Sequence, residues 1–269
     1  MCGIFGFYLK KPLSMKKVFG VLKKLEVSRY PDEAQPVGGY GAGVAVLLSD
    51  GNMILEKIGK TDSESPADHL SEIMAKTQYF GVALQDAQVL IGHVRYPSPE
   101  NFGTIKFKEA AQPYVESFER HLRIASIHNG EVQNYKELKA KLKPHPFESE
   151  NIGTIDSEVI PHYFGEALNE SGDMDAALYD LLNALQGSSA IALLQVDDEA
   201  MWLHLIHKGR ARGLVVWTND KGEVIFCSRP EPVQTELASL LASGKFREKV
   251  VINWREEAGL KLSFPLIFE

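Results

Sequence analysis

The sequence predicts an α+β protein in which two antiparallel sheets carry helices on their outer faces. Three observations lead there. Strand-like apolar runs recur along all 269 residues and outnumber the helical ones. Helices interrupt them irregularly, without the strand–helix alternation of a parallel doubly wound sheet. Asp50-Gly51 between two such runs is a hairpin signal, and hairpins join antiparallel neighbours. A hydrophobic content of 44% and a charged content of 24% are ordinary for a globular chain, and the length allows a sizeable core.

Residues 3–9 read as the first strand, and Gly3 and Gly6 within it suggest that something approaches the backbone closely. Residues 15–25 place Val18, Leu22 and Leu25 at helical spacing with lysines between them, an amphipathic helix with a basic outer face. Residues 28–43 form a long loop rich in proline and glycine. Its glycines could cradle a ligand or belong to an ordinary loop, and no phosphate-loop spacing is present. Strands follow at 44–48 and 53–55, then a helix at 66–76. Residues 89–96 begin as a buried strand and end on a charge, before Pro97 and Pro99 stop regular structure. A strand at 122–127 runs into His128-Asn129-Gly130, and helices follow at 135–143, 157–168 and 175–185. Strands at 189–196, 202–206, 214–218 and 224–228 precede a helix at 236–243 and late strands at 250–254 and 260–262. No internal repeat, low-complexity run or linker divides the chain. One domain is expected over 1–269, with a motif-bearing core of about 2–230 and a C-terminal extension of about 231–269.

The formal net charge of -7 argues against general nucleic-acid binding, which favours a basic surface. No apolar run approaches the roughly 20 residues of a membrane span. Lys10 and Lys11 cut the first apolar run too short for a signal peptide, so a reducing cytoplasm is expected, with Cys2 and Cys227 both free. Cys227 lies in an apolar strand-like run and reads as core. Neither cysteine has the paired spacing of a zinc site, and no metal or cofactor is expected.

Four places could carry chemistry. Cys2 stands directly behind Met1, so removal of the methionine would leave thiol and free α-amine on one Cα. Such an amine has a pKa of roughly 7.7–8.0 and can take the proton of an attacking group. The alternative is a small buried residue at a strand start. Arg95, at a strand end before a stiff loop, suits a bidentate carboxylate or a surface salt bridge. Asn129-Gly130 reads as a turn, or as a side-chain amide and a backbone N–H converging on a developing oxyanion. Asp156 is a helix N-cap candidate.

Taken together, these residues resemble a class II glutamine amidotransferase domain, a branch of the N-terminal nucleophile hydrolases. The resemblance is carried by Cys2 in Met-Cys-Gly-Ile-Phe-Gly, Arg95 in Gly-His-Val-Arg-Tyr, Asn129 and Gly130 in Ile-His-Asn-Gly-Glu-Val, and Asp156 in Ile-Asp-Ser-Glu-Val-Ile. Tyr40-Gly41-Ala42-Gly43-Val44-Ala45 is similar to the family's glycine turn. The resemblance implies a four-layer αββα sandwich of two antiparallel sheets. It also implies that Cys2 attacks the glutamine carboxamide, that Asn129 and Gly130 form the oxyanion hole, and that Arg95 and Asp156 hold the substrate α-carboxylate and α-ammonium. The loop from Tyr96 to Gly103 is similar to the family's lid and makes Tyr96 a substrate contact. Three departures stand out. The lid lacks the family's threonine-histidine pair, Gln112-Pro113 replaces histidine-proline, and the loop at 28–43 is expanded.

Domains of this kind usually deliver ammonia to a synthase. The resemblance implies a glutaminase subunit that passes ammonia from glutamine to a separate synthase polypeptide, with a split glutamate synthase as the preferred arrangement. One alternative is a stand-alone hydrolase of γ-glutamyl amides. Another is a non-catalytic subunit that senses glutamine. Each requires only the same pocket.

Overall fold

The computed structural model describes residues 2–62, 65–119, 121–253 and 256–268. In chain order the strands are β1 (Gly3–Ser14), β2 (Gly41–Leu47), β3 (Met53–Gly59), β4 (Gln78–Tyr79), β5 (Val82–Ala83), β6 (Asp86–Val94) and β7 (Tyr114–Ser117), then β8 (Arg123–Gly130), β9 (Ser189–Val196), β10 (Met201–Gly209), β11 (Leu214–Thr218), β12 (Val224–Cys227), β13 (Arg247–Ile252) and β14 (Ala258–Pro265). The helices are α1 (Met15–Val27), α2 (Pro66–Lys76), α3 (Tyr135–Lys141), α4 (Val159–Ser171), α5 (Met174–Ala184), α6 (Pro230–Glu236) and α7 (Ala238–Ser243).

Seven strands form one sheet in the order β13-β11-β12-β1-β6-β2-β3, and five form a second in the order β14-β10-β9-β8-β7. Every pairing is antiparallel. Side-chain alternation along each strand decides the layers. In β1, Phe5, Phe7 and Leu9 pack toward α1 and α2, while Ile4 and Tyr8 pack toward the second sheet. In β9, Ala190, Ala192 and Leu194 face the first sheet, and Ile191 and Leu193 face α4 and α5. The result is a four-layer αββα sandwich with three apolar interlayers.

Local signals set the helix ends. Ser65 accepts the Asp68 N–H at 3.1 Å and Pro66 opens α2, satisfying one orphan donor and supplying a fitting φ. Gly172 closes α4 in the left-handed conformation at φ 65°.

Several boundaries differ from expectation for identifiable reasons. β1 runs on past Leu9 because its backbone re-pairs with β6 at Leu13 and Ser14 after a register shift, although the outer side chains are exposed. Gly41 and Gly43 belong to β2 rather than to the long loop. A Cβ on Gly43 would stand 2.1 Å from the Gln112 carbonyl oxygen, so the glycine allows close packing, not a ligand cradle. Gly3 and Gly6 also mark close approaches, to Val37 and Leu25 and to the Leu90 carbonyl and the Phe226 ring. Residues Pro99–Thr104, expected to be irregular, form a 3₁₀ helix. β7, α6 and the short β4–β5 hairpin were not expected. The late strand expected at 250–254 begins earlier, at Arg247, and Trp254 lies outside the described residues. β13 and β14 supply the outer strand of each sheet. Among the described residues no helix is long and apolar enough to cross a membrane.

Candidate active site

β1 starts in the interior of the seven-stranded sheet, between β12 and β6. Gly3 pairs with Val94, so the register sets Cys2 beside the residues that follow β6. The Cys2 thiol donates to the Tyr96 carbonyl at 3.4 Å, and the Tyr96 N–H points back at Sγ at 3.5 Å. Cys2 is half-buried, whereas Cys227 is wholly buried and its thiol is pushed up to about 12. Burial makes Cys227 an inert core thiol, as expected from its sequence context.

Arg95 is held on the other side by β2. Its N–H donates to the Gly41 carbonyl at 2.8 Å, and its own carbonyl accepts the Tyr40 N–H at 3.0 Å. Its Nη2 donates to Thr104 Oγ1 at 2.7 Å, and that hydroxyl donates to the Asn101 carbonyl at 2.7 Å. The side chain is only 4% exposed, which excludes a surface salt bridge. Nη1 is buried and has no hydrogen-bond partner among the described residues. Burial pulls the guanidinium below its ordinary pKa, while the Cys2 charge acts the other way. Guanidinium nonetheless stays charged in proteins, so the wall here presents a fixed cation with a spare N–H.

Asn129-Gly130 is not a turn. β8 continues through both residues, which pair with Ala190 and Ser189 of β9. Asn129 is buried, and its Nδ2 has no hydrogen-bond partner among the described residues. A Cβ on Gly130 would lie 2.0 Å from the Ser188 carbonyl oxygen, so only glycine fits. His128 anchors this strand end from behind. Its ring sits between Ser157 Oγ at 2.9 Å and Ser189 Oγ at 3.1 Å, and burial lowers its pKa to about 3.

The Gln112 side chain completes that support. Its carboxamide accepts the His128 N–H at 2.5 Å and donates to the His128 carbonyl at 3.1 Å. β7 pairs with β8 only as far as Tyr114 opposite Ser126, and Pro113 has no N–H to continue. The Gln112 amide stands in for the missing backbone partner.

Asp156 opens a 3₁₀ turn, Asp156–Glu158, ahead of α4. It caps no helix. Its carboxylate instead accepts the Val132 N–H at 2.7 Å, just beyond β8. Burial raises its pKa, opposed by that bond and by the Ser157 bonds.

All six residues singled out by sequence line one cavity of about 880 Å³: Cys2, Arg95, Tyr96, Asn129, Gly130 and Asp156. The volume suits a small-molecule site. Tyr96, which lines the cavity, packs edge to face with Tyr40 and Phe102, and the three ring centroids are 5.0–6.2 Å apart. Two supports were not foreseen. Arg212 lines the cavity and shares the buried Glu33 carboxylate with Arg229, which also covers the Tyr30 ring at 3.9 Å. The long loop therefore braces the site from behind through Glu33. Partners 179 residues apart leave no local trace in the sequence.

The family model described as "Glutamine amidotransferase domain" matches residues 100–235. The chain belongs to the class II glutamine amidotransferase domains. The amidotransferase domain is 32% identical over 206 residues to glutamine–fructose-6-phosphate aminotransferase (isomerizing) of Aquifex aeolicus, covering 74% of this chain and 28% of that protein. The enzyme of the same name from Chlamydia muridarum is 30% identical over 200 residues, covering 73% of this chain and 27% of the relative. The chain thus spans less than a third of the length of these relatives. Among solved structures, the glutamine phosphoribosylpyrophosphate amidotransferase of B. subtilis superposes with TM-score 0.62 at 17% identity, covering 100% of this chain and 50% of that one. A predicted glutamine amidotransferase from Pseudomonas aeruginosa PA01 gives TM-score 0.52 at 13% identity, covering 98% and 97%. These likenesses place the sandwich in the N-terminal nucleophile hydrolase fold.

Proposed function

We propose that this domain hydrolyses glutamine to glutamate and ammonia through a thioester on Cys2. The observation that carries the reading is the convergence on one cavity of a half-buried thiol, a guanidinium N–H and a carboxamide N–H that have no partner among the described residues, and a carboxylate. With Met1 removed, the α-amine of Cys2 takes the thiol proton as sulfur attacks the side-chain carboxamide carbon. The oxyanion then forms against Asn129 Nδ2 and the Gly130 N–H. Collapse breaks the C–N bond, and the ammonium of Cys2 gives its proton to the departing nitrogen, which leaves as ammonia. Water attacks the thioester by the same base, and the second oxyanion collapses to glutamate and thiol. Arg95 pairs with the substrate α-carboxylate and Asp156 with its α-ammonium, and the two charges of opposite sign fix the reacting amide over sulfur. Tyr96 borders the nucleophile through its backbone.

Ammonia then passes to a separate synthase polypeptide in the cytoplasm, with a split glutamate synthase as the preferred partner. The test is glutamine turnover by processed protein, alone and with co-purified partner. Cys2→Ala should abolish turnover and the acyl adduct seen by mass spectrometry, with folding unchanged. Turnover retained by that variant would move the nucleophile elsewhere.

One feature favours a second reading. The cavity continues past these groups to Gln133, Lys136 and Arg210. That space fits a γ-glutamyl amide with a larger leaving group. Faster turnover of γ-glutamyl amides than of glutamine would select it.

A further inference from the structure

On the helical side of the five-stranded sheet, away from the cavity, three side chains from three segments converge. Glu116 comes from β7, opposite Ile124 in the β8 ladder, and therefore faces the helices. His162 comes from α4, and His145 from the segment after α3. Their donor atoms all lie within 4.8 Å of one another. His162 Nδ1 is 3.3 Å from Glu116 Oε2, and His145 Nδ1 is 3.9 Å from Glu116 Oε1. In a tetrahedral zinc site with bonds of about 2.0–2.1 Å, neighbouring donors stand about 3.3 Å apart.

The His162 ring is 2% exposed, and its Nδ1 has no hydrogen-bond partner among the described residues despite the nearby carboxylate. The pair stands at the separation that two ligands of one ion keep. Phe147 stacks on His162 at 4.2 Å and 8°, and Phe118 meets His145 edge-on at 5.5 Å, so the rings are fixed in apolar surroundings. Glu166 Oε2 lies 3.9 Å from His145 Nε2, beyond hydrogen-bond reach, and its carboxylate accepts the Lys143 N–H at 3.1 Å.

We propose that Glu116, His145 and His162 form a Zn²⁺ site. Two imidazoles and one carboxylate suit zinc better than the oxygen-seeking Mg²⁺ or Ca²⁺. The ion joins β7, the segment after α3, and α4. Since α4 follows directly on the Asp156–Glu158 turn, the ion braces the carboxylate wall of the cavity from outside. The site stands independently of the glutaminase reading.

The test titrates the full chain, stripped with EDTA, with Zn²⁺ alone against a chromophoric chelator. One Zn²⁺ per chain and a raised melting temperature are expected. His145→Gln and Glu116→Gln should each weaken binding at least tenfold, and Cys2→Ser should leave it unchanged. His145 reaches the surface, so His145→Gln should keep the native circular dichroism even if His162→Gln does not fold. No stoichiometric binding, binding that survives His145→Gln at full strength, or binding lost with Cys2→Ser would overturn the assignment.

Discussion

Asn129 holds its amide nitrogen at the cavity wall without a hydrogen-bond partner among the described residues. Leaving a buried donor unpaired costs about 1–3 kcal/mol, a cost that a developing oxyanion would offset. Asn129→Ala should therefore lower kcat about 100- to 1,000-fold, the usual loss for one oxyanion donor, with KM little changed. A mainly KM effect in glutaminase assays would remove Asn129 from that role. Asp156 carries a pH signature. Because burial raises its pKa, its carboxylate is lost at a higher pH than an exposed aspartate, ordinarily near about 3.9. The acid limb of kcat/KM should begin above that value. Asp156→Asn should abolish the limb and, at pH 7, lower kcat/KM roughly 10- to 100-fold, as for loss of a charged hydrogen bond of about 1.5–3 kcal/mol. An unchanged acid limb would assign it to another group. The residues proposed to react were legible because each sits in a short motif whose chemistry is local. Gln112, Glu33 and the trio at Glu116 were not, because register and tertiary packing, rather than neighbours in sequence, select their partners.

β9 and β11 match their predicted bounds because both faces are covered, so the apolar run and the strand end together. β7 is only four residues and turns Glu116 toward the helices, and α6 contains two prolines in seven residues. Neither offers a periodic signal. β14 joins the sheet edge to the middle of the molecule. Tyr8 Oη donates to the Ile267 carbonyl at 2.7 Å and accepts the Ile267 N–H at 3.1 Å, while Phe264 and Leu266 enter the intersheet core. Ending the chain before Ala258 removes two buried side chains, each stabilising by about 1.5–3 kcal/mol, and bares the edge of β10. That truncation should aggregate or show a much lower urea midpoint. A soluble product with an unchanged midpoint would show that β14 is dispensable.

Across the whole molecule, burial holds four histidines neutral. His93 and His128 are lowered to about 3, and His162 and His204 to about 4. Their unfolded counterparts titrate near about 6.5. Between these limits the unfolded chain binds more protons, so stability falls as pH drops below about 6.5. Each histidine contributes up to about 1.4 kcal/mol per pH unit. Urea unfolding at pH 7 and pH 5 should show a clear loss at the lower value, and a flat profile would contradict the buried neutral state. The layered plan was readable from composition and alternation, since antiparallel strands advertise which face is inward. How closely the layers approach was not readable. Cys2 and Arg95 flank the paired ends of β1 and β6 in one sheet, and Asn129 and Gly130 end β8 in the other. Ala125, Ala190 and Ala192 lie in the layer between them. The gap that the proposed substrate amide would bridge is thus gauged by methyl groups that take no part in the reaction. A branched residue at position 192 would act as a shim and slow the reaction while every chemical participant stayed in place.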